Sequence, residues 1–224
     1  MIGSPLHPRS ATYVLTLAVL LVATPAAPRT LKPGVERWPI KTSVPAGANL
    51  SHPRKAALVK VLALQDVAGV KKNDARYQEA RIPDATDGLK EGQILSTKGW
   101  VWLVALEDDG DYHIQVSDSP TSGNHCLIVE VPKDDPAFES DPTLREKAAT
   151  VRKVVRLRLL HDVNREPSES GNLMQHPPYM TVVGQLFYDD SHVGDQPRGK
   201  KQMKASTLWE IHPITALTFA PAPK

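Results

Sequence analysis

The sequence predicts a mainly β protein that has five strands and one long helix between the third and fourth of them. β-Branched and aromatic residues concentrate in five runs, which is the composition of strands. Turn sequences such as Asp109-Gly110 separate the first three runs, as is typical of hairpins. Apolar residues recur at three- and four-residue intervals in 143–160, which is helical spacing.

The order of the predicted strands and helix favours one architecture among mainly β proteins. The five strands are predicted at residues 93–106, 112–116, 126–131, 179–188 and 207–217. Three strands, a helix and two more strands is the order of the OB-fold, a small five-stranded Greek-key barrel. A β-sandwich, the alternative, usually needs about seven strands. We therefore predict an OB-like barrel domain over residues 92–217, followed by a C-terminal tail at 218–224.

The first 27 residues predict a secretory signal peptide. Arg9 lies near the start without an acidic partner, an eleven-residue apolar run occupies 13–23, and small residues follow up to Ala27. The run is short for a membrane span, which needs about 20 residues. We expect cleavage after Ala26 or Ala27 and a secreted or periplasmic protein. An uncleaved N-terminal anchor is the alternative.

Residues 28–91 predict a proline-rich arm and a short helix. Five of the 20 prolines fall within 28–55, and this density prevents a long helix and interrupts strand pairing. We expect an extended arm from which Trp38 docks onto the barrel. Helical spacing of Leu58, Val61 and Leu62 predicts the short helix that follows.

Charge and cysteine content exclude several classes of protein. The net charge is +2, and removal of Arg9 with the signal peptide leaves 26 basic residues against 25 acidic ones, which is too balanced to indicate a nucleic-acid binder by itself. Cys126 is the single cysteine, so an internal disulfide and a multi-thiolate zinc site are excluded. Its apolar neighbours predict that the thiol is buried.

Several short motifs resemble a group of uncharacterised secreted bacterial proteins. They are Asp109-Gly110-Asp111-Tyr112-His113, Ile128-Val129-Glu130-Val131-Pro132, Glu210-Ile211-His212-Pro213 and the arm segment Trp38-Pro39-Ile40-Lys41-Thr42. The resemblance covers most of residues 35–217. It implies a secreted single domain and assigns no activity.

Two acid–histidine pairs form the candidate metal site. Asp111 and His113 lie two residues apart on a predicted strand, so their side chains project to the same face, and the same holds for Glu210 and His212. If the strands converge, the four side chains suit zinc or acid–base chemistry. His192, beside Asp189, is a possible further ligand. The alternative is a structural or solvated polar face. No motif predicts an organic cofactor, and a divalent metal such as zinc is the group left open.

The loop between the fourth and fifth strands is the candidate ligand-binding segment. Its cations are Arg198, Lys200, Lys201 and Lys204. In OB-folds this loop often contacts the ligand, and cations without acids suit phosphate groups. The alternative is a solvated loop. The basic residues of the predicted helix, Arg152 among them, are expected on a solvated face.

These features favour a non-catalytic binding or accessory protein over an enzyme. A polyanion or an envelope protein is the expected partner of the basic loop. The alternative is a metal-dependent hydrolase acting on phosphodiesters, in which Asp111, His113, Glu210 and His212 hold the metal. The sequence lacks the G-x-S-x-G motif of the serine hydrolases that use a nucleophile elbow.

Overall fold

A computed structural model describes residues 36–83 and 85–223 of the chain. The predicted signal peptide, 1–27, lies outside the described residues. Helices and strands follow one another as α1 (Trp38–Lys41), β1 (Arg54–Lys55), α2 (Leu58–Leu62), β2 (Ala85–Thr86), β3 (Leu89–Lys90), β4 (Ile94–Leu106), β5 (Tyr112–Ser117), β6 (Cys126–Val131), α3 (Pro142–Val154), β7 (Asn172–Leu173), β8 (Tyr179–Tyr188) and β9 (Ala205–Phe219). A π-helical segment, Val155–Leu159, extends α3, and a 3₁₀ turn, Asp190–His192, follows β8.

Five of these strands close into a barrel, which confirms the predicted architecture. The hydrogen-bonded order is β4-β5-β6-β9-β8, and β8 pairs again with β4. The β6–β9 pairing is parallel and the others are antiparallel. Closure depends on the length of β4, because Trp100–Leu106 pair with β5 while Ile94–Trp100 pair with β8. If the five barrel strands are numbered along the chain, their order around the barrel is one, two, three, five, four, as in an OB-fold.

Strand alternation divides the barrel into an apolar interior and a polar outer wall. On β5, Tyr112, Ile114 and Val116 belong to the apolar core and are fully buried. His113 and Gln115 therefore project outward. On β9, Trp209 and Ile211 likewise belong to the core. The candidate residues of the two strands thus share the outer wall.

Helix α3 begins at a well-formed cap and packs against β6 and β9. The Asp141 side chain accepts hydrogen bonds from the backbone N–H groups of Thr143 and Leu144, which satisfies two of the unpaired donors at the helix start. The prediction of a solvated basic face is wrong for Arg152. Its guanidinium lies 3.6 Å from the Tyr112 ring centroid and the residue is 3% exposed, because the helix turns this position toward the barrel.

The arm is neither fully extended nor loosely attached. It contains the single turn α1, and Arg37 anchors that turn. Both terminal nitrogens of Arg37 donate to the Glu91 carboxylate at 2.7 Å, and both side chains are fully buried. Trp38, the expected docking residue, is only half-buried. The buried guanidinium, rather than the indole, therefore fixes the arm to the barrel.

No helix in the described part of the chain combines the length and the apolar character needed to cross a bilayer.

Candidate functional site

A buried polar cluster covers the outer wall of β5, β6 and β9. We call it the outer-wall cluster, and its members are Lys41, Asp111, His113, Glu130, Glu210 and His212, each at most 8% exposed. β5 and β6 are the second and third barrel strands, the face on which OB-folds bind ligands. In this chain, α1 and the β8–β9 loop contribute Lys41 and Arg198 to that face.

Glu130 is the centre of the outer-wall cluster. Its carboxylate accepts hydrogen bonds from Nδ1 of His113 at 3.2 Å and from Nδ1 of His212 at 3.1 Å. Burial raises the pKa of Glu130, but Lys41 and the two histidines outweigh burial and hold it well below its ordinary value. An ionised carboxylate therefore links the two strands that carry the histidines.

Lys41 supplies the compensating positive charge. Its Nζ lies 3.3 Å from Asp109 Oδ2, 3.4 Å from Glu130 Oε2 and 3.7 Å from Asp111 Oδ2. Burial lowers the pKa of the ammonium, but the carboxylates of Glu130, Asp111 and Asp109 outweigh burial and raise it well above its ordinary value. The arm thus places a permanent cation among the acids of the barrel wall.

Asp111 and His212 approach one another, a convergence that the sequence left open. Asp111 Oδ2 lies 3.4 Å from His212 Nε2, and both side chains are fully buried. Neither atom has a hydrogen-bond partner among the described residues. Burial raises the pKa of Asp111 well above its ordinary value, and burial together with Lys41 lowers that of His212. Two buried polar atoms therefore face each other, and neither is satisfied by a hydrogen bond within the described residues.

Glu210 does not join His212. It accepts a hydrogen bond from Arg198, whose same nitrogen also donates to Asp189 Oδ2 at 2.5 Å. Burial raises the pKa of Glu210 well above its ordinary value despite this guanidinium. The four predicted ligands are therefore divided: Asp111 and His212 face each other, Glu210 turns to Arg198, and His113 reaches His212 only through Glu130.

His113 belongs to a second acid–histidine group with Glu107 and Glu130, whose ligand atoms lie within 4.8 Å of one another. Both carboxylates lie 3.2 Å from His113 Nδ1. The other ring nitrogen faces Gln115 Oε1 at 3.3 Å. Since oxygen atoms at hydrogen-bonding distance engage both nitrogens, hydrogen bonding accounts for this group without a metal.

The basic loop divides into paired and exposed cations. Arg198 is engaged with two acids, and Lys200 Nζ lies 3.3 Å from Glu107. Lys201 and Lys204 are exposed. Contact with a polyanion stays a prediction, and of the four cations these two are the ones on the surface.

The same loop forms one wall of a polar pocket of about 430 Å³. Seven side chains line it, and all of them are polar: Glu36, Lys72, Asn73, Gln78, Ser191, His192 and Asp195. Sequence reasoning singled out His192 as a possible additional metal ligand. The structure places it instead in this pocket, opposite residues 72–78.

Asp189 orients the His192 ring in the pocket. The carboxylate accepts from Ser191 Oγ at 2.6 Å and lies 2.7 Å from His192 Nδ1. Burial raises the pKa of Asp189, but His192 and Arg198 outweigh burial and lower it to about 2, so the carboxylate is ionised and accepts the Nδ1 proton. This hydrogen bond occupies Nδ1 and leaves Nε2 as the ring nitrogen on the side away from Asp189.

Sequence reasoning missed Glu130 and Lys41. Glu130 interrupts the apolar run of β6, and its alternation with Val129 and Val131 places it on the outer wall, so a signal existed. The sequence held no such signal for Lys41, because the position of this residue depends on how the distant arm packs.

No protein-family model matches this chain, and no curated protein matches it. Fold and site together define an OB-like barrel protein with a buried charge cluster on its outer wall. The resemblance to the secreted bacterial group stays a prediction.

Proposed function

We propose that this chain is a non-catalytic binding protein that acts outside the cytoplasm, and that its ligand occupies the polar pocket beside His192. The observation that carries the proposal is the Asp189–His192 hydrogen bond at the edge of the pocket. A buried carboxylate that fixes an accessible imidazole is a prepared recognition element, because it sets both the ring orientation and the free nitrogen.

Burial of the outer-wall cluster supports a non-catalytic role. A catalytic group must contact its substrate, yet Asp111 and His212 are fully buried. The hydrolase alternative needs these two residues at the reaction centre. The accessible polar chemistry lies instead at the pocket, where His192 is 37% exposed at its side chain.

The pocket lining indicates a neutral ligand rich in hydroxyl groups. Glu36 and Asp195 bring two carboxylates, and the Lys72 ammonium is bound to Asp195 at 2.7 Å. An anion would meet this acidic surplus, whereas hydroxyl groups can donate to carboxylates and accept from amides. The volume lies within the usual range of small-molecule sites, roughly 300–1,000 Å³. A mono- or disaccharide fits these requirements.

Titration of isotope-labelled protein with a panel of neutral and acidic saccharides tests the proposal. With a neutral saccharide we expect amide shifts confined to Glu36 and to residues 72–78 and 189–195. Binding should weaken by at least about tenfold in His192→Ala because its oriented imidazole is lost. His125→Ala is the matched control, since that histidine is exposed and lies outside the pocket. Shifts that lie elsewhere, or that survive unchanged in His192→Ala, would refute the assignment.

A further inference from the structure

We propose that Asp111 and His212 bind one divalent transition-metal ion, with zinc as the preferred ion, and that Glu130 holds the His212 ring as an outer carboxylate. This site is distinct from the pocket beside His192 and does not depend on it. It also differs from the set expected from the sequence, because neither His113 nor Glu210 is a ligand.

The two unpartnered atoms carry this inference. Asp111 Oδ2 and His212 Nε2 are fully buried and lie 3.4 Å apart, with no hydrogen-bond partner among the described residues. Glu130 holds His212 by Nδ1, so the neutral ring presents its Nε2 lone pair to the carboxylate oxygen. Two buried acceptors in this arrangement are stabilised by a positive centre between them, which is either a proton or a metal ion.

The separation suits a metal ion. Zinc bonds of about 2.0–2.2 Å to nitrogen and oxygen, set at a tetrahedral angle, place the two ligand atoms roughly 3.3–3.5 Å apart. Glu130 stays beside the ion rather than binding it, since one of its oxygens lies within 4.8 Å of an Asp111 oxygen and of a His212 ring nitrogen. Imidazole and carboxylate are ordinary zinc ligands. The hydrogen bond from His212 to Glu130 also fixes the ring orientation, as outer carboxylates do in zinc sites.

Lys41 regulates access to the site. Its Nζ lies 3.7 Å from Asp111 Oδ2, and its charge opposes a second cation beside it. Of the charged groups around Asp111, Lys41 and Asp109 lie nearest to solvent, with side chains 10% and 15% exposed. An incoming ion therefore passes Lys41 and must displace its ammonium from the carboxylates. Zinc affinity is consequently set by how firmly the arm holds Lys41.

Calorimetric titration of chelator-treated full-length protein with zinc alone tests the site. We expect one zinc ion per chain in the wild type and tighter binding, by at least about tenfold, in Lys41→Met. Asp111→Asn and His212→Gln preserve side-chain size and should each weaken binding by about 100-fold or more. Circular dichroism of each variant confirms that it is folded, and the visible spectrum of bound cobalt reports tetrahedral coordination.

Two controls separate this site from its rivals. His192→Gln should bind zinc as the wild type does, because that ring lies in the pocket. His113→Gln distinguishes the group formed with Glu107: loss of zinc binding there, with binding retained in His212→Gln, would overturn the proposal. Absence of stoichiometric binding in the wild type would also overturn it, and a proton would then be the positive centre.

Discussion

At the scale of single residues, Arg198 is the cation on which two buried acids depend. One of its terminal nitrogens donates both to Glu210 and to Asp189, and each of these two residues is at most 7% exposed. Removing one partner of a buried ion pair is far more damaging than replacing the whole pair, since the remaining charge is left uncompensated. The arginine thus joins the outer-wall cluster to the pocket beside His192.

Arg198→Met should therefore lower the free energy of unfolding by about 3–5 kcal/mol, measured by urea denaturation near pH 7. Lys201→Met is the matched control, because Lys201 is an exposed cation of the same loop, and its effect should stay within about 0.5 kcal/mol. Equal stabilities of the two variants would show that the guanidinium does not hold this network together.

The residue scale also shows where prediction from sequence ends. The outward projection of Asp111, His113, Glu210 and His212 followed from strand alternation, because the period of two is a property of the backbone. The pairing of Glu210 with Arg198 could not be predicted in this way, because it depends on the path of a loop that has no repeating pattern. Long-range placement of a cation, not strand geometry, decided which acid faced which histidine.

At the scale of elements, the strands and α3 were predictable because each carries its own periodicity. β6 and β8 have the predicted bounds, and β9 runs two residues beyond its predicted end, to Phe219. The turn α1 was not predicted, since four residues that include a proline carry too short a pattern to indicate a helix. The sequence pattern predicted Arg152 on the solvated face of α3, but an arginine can bury its guanidinium over an aromatic ring, here that of Tyr112.

A buried glutamate just before α3, Glu139, makes the free energy of unfolding depend on pH. Glu139 is fully buried, its Oε1 accepts from the Asp141 N–H at 3.1 Å, and its Oε2 has no hydrogen-bond partner in the described ranges. Burial raises the pKa of Glu139 from 4.5 to about 7. The folded state therefore holds a proton that the unfolded chain releases, so the stability from this group is complete below pH 4.5 and is lost as the pH rises to 7.

Glu139→Gln should abolish that loss. At pH 8 we expect the variant to be more stable than the wild type by about 1–3 kcal/mol, and near pH 4 the advantage should vanish because the wild-type carboxyl is protonated. Urea denaturation across this range measures the difference. The exposed Glu146 of α3 provides the control: Glu146→Gln should retain the wild-type pH profile, and an unchanged profile in Glu139→Gln would contradict the assignment.

At the scale of the whole molecule, the arm and the barrel form one cooperative structure. Glu91 binds Arg37 of the arm and also accepts from the backbone N–H groups of Ile82 and Tyr188. Arg37 in turn donates to the carbonyl of Tyr188 at 2.6 Å. One buried ion pair therefore ties the arm, the segment before β2 and the end of β8 together.

Arg37→Met and Glu91→Gln should each cost about 3–5 kcal/mol of unfolding free energy, because each leaves a buried partner unsatisfied. The double variant should cost less than the sum, since the two changes remove one interaction. Thermal and urea unfolding followed by two probes, tryptophan fluorescence and far-ultraviolet circular dichroism, should still coincide. If either single variant lost less than about 1 kcal/mol of unfolding free energy, the Arg37–Glu91 ion pair would not couple the arm to the barrel.

The closed strand order also has a consequence for the rate of folding. β4 pairs with β8, and β6 pairs with β9, across some 80 residues of intervening chain. Contacts between such distant segments are slow to form, because the entropy of closing a long loop is lost before any contact is gained. A chain in which only the β4-β5-β6 meander has formed would expose two open strand edges. Such edges can pair with other chains, so refolding of this topology should be more efficient at low protein concentration.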